Sequence, residues 1–133
     1  MSAVPFTVLI VEDEAALRRV LERALTKAGF RVLGAGSAET AYDLLASERA
    51  DAVLLDVHLP TMSGLALYLA LMHRTPALAG RMAIMTGDAE AESVRVWLAH
   101  NPCTVLKKPF DLHQIVEWLR SVLHVPSRER GNG

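Results

Sequence analysis

Apolar residues gather in five short, nearly continuous runs along the chain, and the stretches between them repeat with helical spacing. Runs in which Val, Ile and Leu follow one another without alternation are typical of strands buried on both faces of a sheet. The runs are TVLIV (7–11), RVLGA (31–35), AVLLD (52–56), MAIMT (82–86) and CTVL (103–106). We therefore predict five strands, each covered on both sides.

The segments between the runs place apolar residues three and four positions apart, as an amphipathic helix does. In the first segment the apolar stripe extends from Leu17 to Ala28, and Gly29 is positioned to end the helix. The second helical segment begins with Ser37 and the last with Asp111, and both side chains commonly cap helix N-termini. Strands that alternate with helices of this length form parallel βαβ units, so we predict one small doubly wound α/β domain.

Composition narrows the class of protein. The chain has 133 residues, 51% of them apolar, which is enough for one domain with a sizeable core and too few for two ordinary domains. Its 14 basic and 15 acidic side chains are scattered and give a formal net charge of −1. Nucleic-acid binders carry a clustered basic surface, so we expect no direct contact with DNA or RNA.

The N-terminal sequence MSAVPFTVLIVEDE lacks a basic segment, and its apolar run ends within about six residues, which fits neither a signal peptide nor a membrane span. Cys103 is the only cysteine, so no internal disulfide can form, and we interpret it as a small buried residue at the start of a strand. We expect a cytoplasmic protein without membrane contact. Residues 1–6 would form a short lead and 7–124 the domain, followed by a disordered polar tail, 125–133.

Charged and hydroxyl side chains stand where the predicted strands end. Glu12 and Asp13 follow the first strand, Asp56 ends the third, Thr86 ends the fourth and Lys108 follows the fifth. In an open parallel sheet these positions meet at one edge, which is where such sheets bind ligands.

Each of these residues has an ordinary structural interpretation when taken alone. An acid after a strand is often the N-cap of the next helix, and a single Asp or Thr at a strand end is common. Several carboxylates together repel one another unless a cation joins them, and the chain offers a lysine and room for a divalent cation. Hard oxygen ligands suit Mg²⁺, and a carboxylate, Mg²⁺, a lysine and a hydroxyl together make a site for phosphoryl chemistry.

Four motifs make the chain resemble the receiver domains of bacterial two-component response regulators. They are VLIVEDE (8–14), LLDVHLPTMSG (54–64), MTGDA (85–89) and LKKPF (106–110), in the order and spacing of that family. The resemblance covers about residues 7–123. It implies a CheY-like fold, in which a five-stranded parallel sheet has the order 2-1-3-4-5 and carries five helices.

The resemblance also implies a role for each residue at the sheet edge. Asp56 would be the phosphoacceptor. Asp13 and Asp56 would bind Mg²⁺, or Mn²⁺ as a substitute, through their side chains, and Glu12 would act mostly through water. Thr86 would form a hydrogen bond with the phosphoryl group, and Lys108 would reach the phosphoryl oxygens.

Neighbouring positions in the same motifs receive supporting roles from the resemblance. His58 would bind the metal through its backbone carbonyl, and Gly64 would turn the loop into the third helix. The Lys108–Pro109 bond would be cis. Because side chains alternate along a strand, Lys107 should point away from Lys108, toward solvent or a partner.

The function implied by the resemblance is that of a phosphoacceptor in a phosphorelay. A histidine kinase or a histidine phosphotransfer domain would present a phosphohistidine, and Asp56 would take the phosphoryl group. The acyl phosphate would later be hydrolysed, so the domain modifies itself and turns over no separate metabolite. We therefore class it as a signalling module and not as an enzyme.

Val105 departs from the family pattern. Relatives often have Tyr or Phe three positions before the lysine, and the usual movement of that ring cannot occur with valine. Many relatives dimerise or bind their output domains through the fourth helix, fifth strand and fifth helix, and here that face would include Arg95, Trp97 and Trp118. Packing in the core is the commoner role for each Trp, and no charge pattern specifies a dimer, so we expect a monomer or a weak dimer.

Three alternatives are weighed against a phosphorylated receiver. An Asp-based, Mg²⁺-dependent phosphatase commonly has a second acid two residues after its nucleophile, where this chain has His58. A flavodoxin-like FMN carrier needs a Ser/Thr/Gly-rich phosphate loop, and the acidic sequence EDEAA would repel a phosphate. A receiver-like docking module that works without phosphorylation usually lacks one of the acids or the lysine, and all of them are present here.

Overall fold

The computed structural model of the chain describes residues 4–124, in which five strands alternate with five α-helices. The strands are β1 (Thr7–Val11), β2 (Arg31–Ala35), β3 (Ala52–Asp56), β4 (Met82–Thr86) and β5 (Thr104–Lys107). The helices are α1 (Ala15–Lys27), α2 (Ala38–Ser47), α3 (Gly64–Arg74), α4 (Glu92–His100) and α5 (Leu112–Leu123). A short 3₁₀ turn, Pro76–Leu78, follows α3.

All five strands lie parallel in one sheet with the order β2-β1-β3-β4-β5, which confirms the predicted topology. In this register Val11 lies beside Leu55, so the residues that follow the two strands emerge side by side. Thr86 pairs with Lys107 at the same end of the sheet. The register thus brings the carboxyl ends of β1, β3, β4 and β5 to one edge.

Burial along the strands follows their place in the sheet. Every residue of β1, β3 and β4 is buried, as the continuous apolar runs predict. The prediction is wrong for β2, where Arg31 and Gly34 are exposed, and for β5, where only Leu106 is buried. These two strands form the edges of the sheet, so helices cover them less completely than they cover the central strands.

The helices divide the core into two layers. Helices α1 and α5 cover one face of the sheet, with Leu21, Leu25 and Leu119 fully buried there. Helices α2, α3 and α4 cover the other face. The predicted stripe on α1 is too wide, because Val20 is 50% exposed and lies outside the contact with the sheet.

The predicted helix boundaries are confirmed. Gly29 follows the last turn of α1 with φ of +102°, a left-handed conformation that favours glycine. The Ser37 hydroxyl accepts a hydrogen bond from the Thr40 amide at 3.1 Å and caps α2. The Asp111 carboxylate accepts one from the His113 amide at 2.9 Å and caps α5. Each cap satisfies an amide that the helix itself leaves without a partner.

Both tryptophans pack against the core, as the usual preference of this side chain predicts. Trp97 of α4 is partly buried and meets Tyr68 of α3 edge to face, with ring centroids 5.1 Å apart. Trp118 is partly buried against the layer under α1 and α5. Arg95 is exposed on α4. The indole Nε1 of Trp97 is buried and has no hydrogen-bond partner among residues 4–124.

Cys103 lies just before β5, half-buried against the layer formed by α2, α3 and α4. Burial raises the pKa of its thiol above the ordinary value of 9.0, and hydrogen bonds that its sulfur accepts from the Tyr68 hydroxyl and the Ile84 amide offset only part of that effect. The folded protein therefore keeps the thiol protonated to higher pH than the unfolded chain does. The resulting stabilisation is present below the unfolded pKa and is lost as the pH rises through the folded pKa.

We expect iodoacetamide to modify Cys103 more slowly in the folded protein than in the same protein unfolded in urea, by about tenfold or more near neutral pH, because the thiolate is the reactive form. Mass spectrometry of quenched samples measures both rates. Equal rates in the folded and unfolded protein would contradict the burial of this thiol.

The limits proposed for the domain are only partly open to comparison with the structure. The described residues include 7–124, and the last helix ends at Leu123. The tail predicted to be disordered, 125–133, and the first residues of the lead lie outside the described residues. No helix within 4–124 has the length and apolar character needed to cross a membrane.

Candidate functional site

The carboxyl edge of the sheet brings together all the side chains that the sequence singled out there. Glu12 is 1% exposed, Asp56 is 4% exposed and Thr86 is fully buried, which is unusual for polar side chains. Asp13 is exposed at the same edge. Burial of two carboxylates in one place is costly unless a positive charge meets them.

Lys108 supplies that positive charge. Its Nζ lies 2.9 Å from Glu12 Oε1 and 3.2 Å from Asp56 Oδ2, so one ammonium group bridges the two buried carboxylates. The side chain of Lys108 is itself only 25% exposed. Lys107 is exposed, in agreement with its predicted direction. The strand end therefore turns one lysine into the site and the other to solvent.

The backbone at the end of β5 is joined to β4. The Lys108 amide donates to the carbonyl of Thr86 at 2.8 Å, and the Lys108–Pro109 peptide bond is cis, as the motif predicts. The Thr86 hydroxyl oxygen accepts a hydrogen bond from the Asp88 amide at 3.0 Å. Thr86 is thus placed at the site with its hydroxyl oriented by the loop that follows β4.

Asp56 is oriented by the loop that follows β3. Its Oδ1 accepts a hydrogen bond from the His58 amide at 3.1 Å, while its Oδ2 faces Lys108. The His58 side chain is exposed. Gly64 packs so closely against this loop that a Cβ there would lie 1.8 Å from the Asp56 carbonyl oxygen. The Gly64 amide also donates to the Val57 carbonyl at 2.8 Å. Glycine is required at this position by close contact with backbone.

Glu12 is held by contacts that the sequence did not reveal. Its Oε2 accepts a hydrogen bond from the Glu14 amide at 3.1 Å, and its carbonyl accepts one from Arg18 Nη1 at 2.6 Å. Arg18 falls between the apolar positions of α1, so helical spacing predicts that it faces solvent. Its guanidinium instead reaches back over the helix N-terminus, and no motif in the sequence signals that contact.

The charges of Glu12 and Lys108 depend on each other. Burial raises the pKa of Glu12 above its ordinary value, and its bonds to Lys108 and to the Glu14 amide offset part of that shift. Burial tends to lower the pKa of Lys108, but the bond to Glu12 and the field of both carboxylates more than offset it, so the Lys108 pKa is raised. The lysine is therefore a firmly protonated cation at neutral pH.

The three acids also fit a metal site. Glu12, Asp13 and Asp56 each offer a carboxylate oxygen, and these oxygens lie within 4.8 Å of one another. Asp13 does not serve as a helix cap, because the N-cap position of α1 is Glu14, whose side chain makes no capping bond. Hard oxygen donors in this arrangement suit Mg²⁺, which binds one or two carboxylates directly and keeps several waters. The acidic residues thus form a possible Mg²⁺ site.

We expect millimolar Mg²⁺ to raise the thermal unfolding midpoint of the wild-type protein, because a ligand bound only by the folded state stabilises it. Asp13→Asn should weaken Mg²⁺ affinity by about tenfold or more, since it removes a charged donor from the site. Titration of the midpoint with Mg²⁺ measures both. Asp43→Asn, an exposed change on α2, is the matched control. An unchanged Mg²⁺ response in Asp13→Asn would contradict its assignment to the metal.

Comparison with known proteins agrees with this arrangement. The family model described as the response regulator receiver domain matches residues 8–120. The chain is 33% identical over 129 residues to the response regulator MprA of Mycolicibacterium vanbaalenii, an alignment that covers 97% of this chain and 55% of that protein. It is 32% identical over 122 residues to the DNA-binding transcriptional regulator NtrC of Klebsiella pneumoniae, with 91% of this chain and 26% of that protein covered.

Solved structures share the fold. A putative response regulator from Chloroflexus aurantiacus has a TM-score of 0.79 and 27% identity, over 91% of this chain and 99% of that one. A CheY-like receiver domain protein from Methanospirillum hungatei has a TM-score of 0.81 at 22% identity, over 91% and 95% of the two chains. The chain spans about a quarter of NtrC and about half of MprA. It belongs to the response regulator receiver domain family of two-component signalling.

Proposed function

We propose that this receiver domain accepts a phosphoryl group on Asp56 from a phosphohistidine of a sensor kinase or a histidine phosphotransfer domain. The observation that carries the proposal is the position of Lys108 Nζ, which contacts Asp56 Oδ2 and the neighbouring carboxylate of Glu12 at the sheet edge. A buried carboxylate beside a protonated lysine, a hydroxyl and further acids is the arrangement that phosphoryl transfer to an aspartate requires.

In the transfer step, a carboxylate oxygen of Asp56 attacks the phosphorus. The new P–O bond forms as the P–N bond to the donor imidazole breaks, and the imidazole nitrogen keeps the bonding electron pair. Lys108 offsets negative charge on the phosphoryl oxygens, and Thr86 donates a hydrogen bond to one of them. When bound to Glu12, Asp13, Asp56 and the His58 carbonyl, Mg²⁺, or Mn²⁺ in its place, would neutralise further charge on the same oxygens.

The reverse of the modification is hydrolysis. Water attacks the phosphorus of the acyl phosphate, inorganic phosphate leaves, and the Asp56 carboxylate is restored. The domain is thus modified and reset without converting a separate substrate, so it functions as a signalling module and not as a classical enzyme. Its output would be a change in partner binding on the face formed by α4, β5 and α5.

The surroundings of the domain follow from the same proposal. A histidine kinase or phosphotransfer domain donates the phosphoryl group, and a downstream output protein or domain responds to the phosphorylated domain. The 14 basic and 15 acidic side chains of the sequence nearly balance, so we expect no direct contact with nucleic acid, and the single half-buried thiol suits a reducing cytoplasm. We expect the domain to be a monomer or a weak dimer.

Intact mass after incubation with acetyl phosphate and Mg²⁺ tests the proposal. The wild-type protein should gain about 80 Da, the mass of one phosphoryl group, and Asp56→Asn should gain none because the amide is not a nucleophile for this reaction. Asp43→Asn serves as a control that retains the site. Absence of the gain in folded wild-type protein, with Mg²⁺ present, would instead favour a docking module that works without phosphorylation.

A further inference from the structure

A groove separates α2 from α3 on the face of the sheet opposite α1 and α5. It encloses a cavity of about 270 Å³ between Ala38 and Tyr42 of α2 and Leu67 and Ala70 of α3, and Met62 of the preceding loop stands at its mouth. The side chains on its floor are small or aliphatic. None of the residues assigned above to metal or phosphoryl binding lines it.

Two contacts across the groove hold its walls in place. At one end the Thr61 hydroxyl donates a hydrogen bond to the Glu39 carboxylate, which joins the loop before α3 to the first turn of α2. At the other end Arg74 Nη1 donates to the Tyr42 carbonyl at 3.0 Å, and the guanidinium carbon lies 4.1 Å from the Tyr42 ring centroid. A groove that is already open and held at both ends avoids part of the cost of ordering on binding.

The mouth of the groove exposes apolar surface. Tyr42 is 42% exposed and Met62 is 39% exposed, although both are large apolar side chains. A single exposed apolar residue is ordinary, but two that stand over one apolar cavity form a surface suited to an apolar anchor from a partner.

The acidic side chains around the groove favour a partner that carries positive charge. Glu39 and Asp43 stand exposed on the α2 wall, and the hydrogen bond from Thr61 lowers the pKa of Glu39, which keeps this carboxylate ionised. The nearby cation, Arg74, already faces the Tyr42 ring and carbonyl. The rim therefore presents negative charge beside the apolar floor.

We propose that the α2–α3 groove binds an amphipathic helix of a partner protein, which inserts one apolar side chain over Leu67 and places a lysine or arginine against Glu39 and Asp43. The i, i+4 spacing of a helix lets an apolar anchor and a flanking cation reach the floor and the rim together. This binding surface is separate from the carboxyl edge of the sheet and does not depend on phosphorylation.

Three alanine-based peptides of about 15 residues, long enough to begin forming helix in water, serve as probes. Each carries Leu and Phe at i and i+4, flanked by two Arg, two Gln or two Glu. Titration followed by ¹⁵N–¹H NMR should shift the amides of Ala38, Tyr42 and Ala70. The Arg peptide should bind about threefold or more tightly than the Gln peptide, and the Glu peptide should bind less tightly than both, as exposed charge pairs allow.

Matched variants locate the effect. Ala70→Leu fills the groove and should lower the affinity for the Arg peptide by about fivefold or more. Ala66→Leu, on the exposed side of the same helix, should leave that affinity unchanged. Glu39→Gln with Asp43→Asn should remove the preference for Arg, while Glu92→Gln on α4 should keep it.

Three results would overturn the proposal. The first is equal affinity for all three peptides, and the second is a set of amide shifts confined to other surfaces. The third is an unchanged affinity of the Arg peptide for the Ala70→Leu variant, provided that this variant unfolds at the same temperature as the wild type. If the groove amides shift with protein concentration and no peptide present, the occupant is a second copy of the chain and the proposed partner is wrong.

Discussion

Replacing Gly64 by alanine is expected to destabilise the domain by about 3 kcal/mol or more, the upper range for inserting a methyl group where nothing can yield. A Cβ at this position would lie 1.8 Å from the carbonyl oxygen of Asp56 and 2.7 Å from its carbonyl carbon. Both atoms belong to backbone at the end of the buried strand β3, so the chain must move and cannot simply rotate a side chain. Urea unfolding of the two proteins measures the difference.

Gly87→Ala is the matched control, because a Cβ there meets nothing within 4 Å and the residue also lies at the carboxyl edge of the sheet. Its unfolding free energy should remain within about 0.5 kcal/mol of wild type if it behaves like an ordinary surface change. If Gly64→Ala is as stable as Gly87→Ala, the loop after β3 does not pack against α3 as described.

Lys108→Met should have the second large effect. In the absence of Mg²⁺ this change leaves the buried carboxylates of Glu12 and Asp56 without their shared cation. The free energy of unfolding should fall by about 2–4 kcal/mol at neutral pH, somewhat less than for a fully buried ion pair because Lys108 is partly exposed. Lowering the pH should recover part of this loss, because protonation of Glu12, whose pKa burial already raises, removes one of the two charges. Chemical unfolding of the metal-free variant at several pH values measures it.

Lys107→Met provides the control for Lys108→Met, since Lys107 is the exposed neighbour and lies on the other side of the strand. It should leave stability unchanged within about 0.5 kcal/mol. Equal stability of the two variants would show that Lys108 does not compensate the buried acids.

Lys108→Met should also slow the uptake of a phosphoryl group by about a hundredfold or more, which is the scale on which the loss of one charge-stabilising group acts.

The sequence predicts the central strands of this fold well, because a continuous apolar run is stable only in a strand that is covered on both faces, as in the middle of a parallel α/β sheet. The runs 7–11, 52–56 and 82–86 become β1, β3 and β4 with every residue buried. Their order in the sheet is another matter. It came from the resemblance of four motifs to a known family, since apolar runs alone specify strands and not which strands are neighbours.

The sequence predicts the surroundings of a side chain less well where they depend on tertiary packing and not on local spacing. Val20 fits the apolar stripe of α1 by its spacing, but it is 50% exposed and lies outside the buried core. Arg18 looks like a solvent-facing side chain, yet its length lets it reach the Glu12 carbonyl. The α2–α3 groove depends on how two helices sit side by side, and local sequence patterns do not contain that information.

The candidate site shows the same division. That Glu12, Asp56 and Lys108 would meet follows from parallel strands ending at one edge, and the structure brings them together. Their roles in chemistry, and that of Thr86, stay predictions. Which carboxylate oxygen faces the lysine and which faces the His58 amide could not be inferred from sequence, because it is set by the path of the loop after β3.

Borohydride trapping after incubation with acetyl phosphate and Mg²⁺ identifies the residue that accepts the phosphoryl group. Borohydride reduces an aspartyl phosphate to homoserine, so peptide sequencing by mass spectrometry identifies the residue that carried the acyl phosphate. We expect homoserine at position 56 in the wild-type protein and at no acidic residue in Asp56→Asn. Homoserine at Asp13, 5-hydroxynorvaline (the product that a glutamyl phosphate gives) at Glu12, or no reduced residue in folded wild-type protein would contradict the assignment of Asp56.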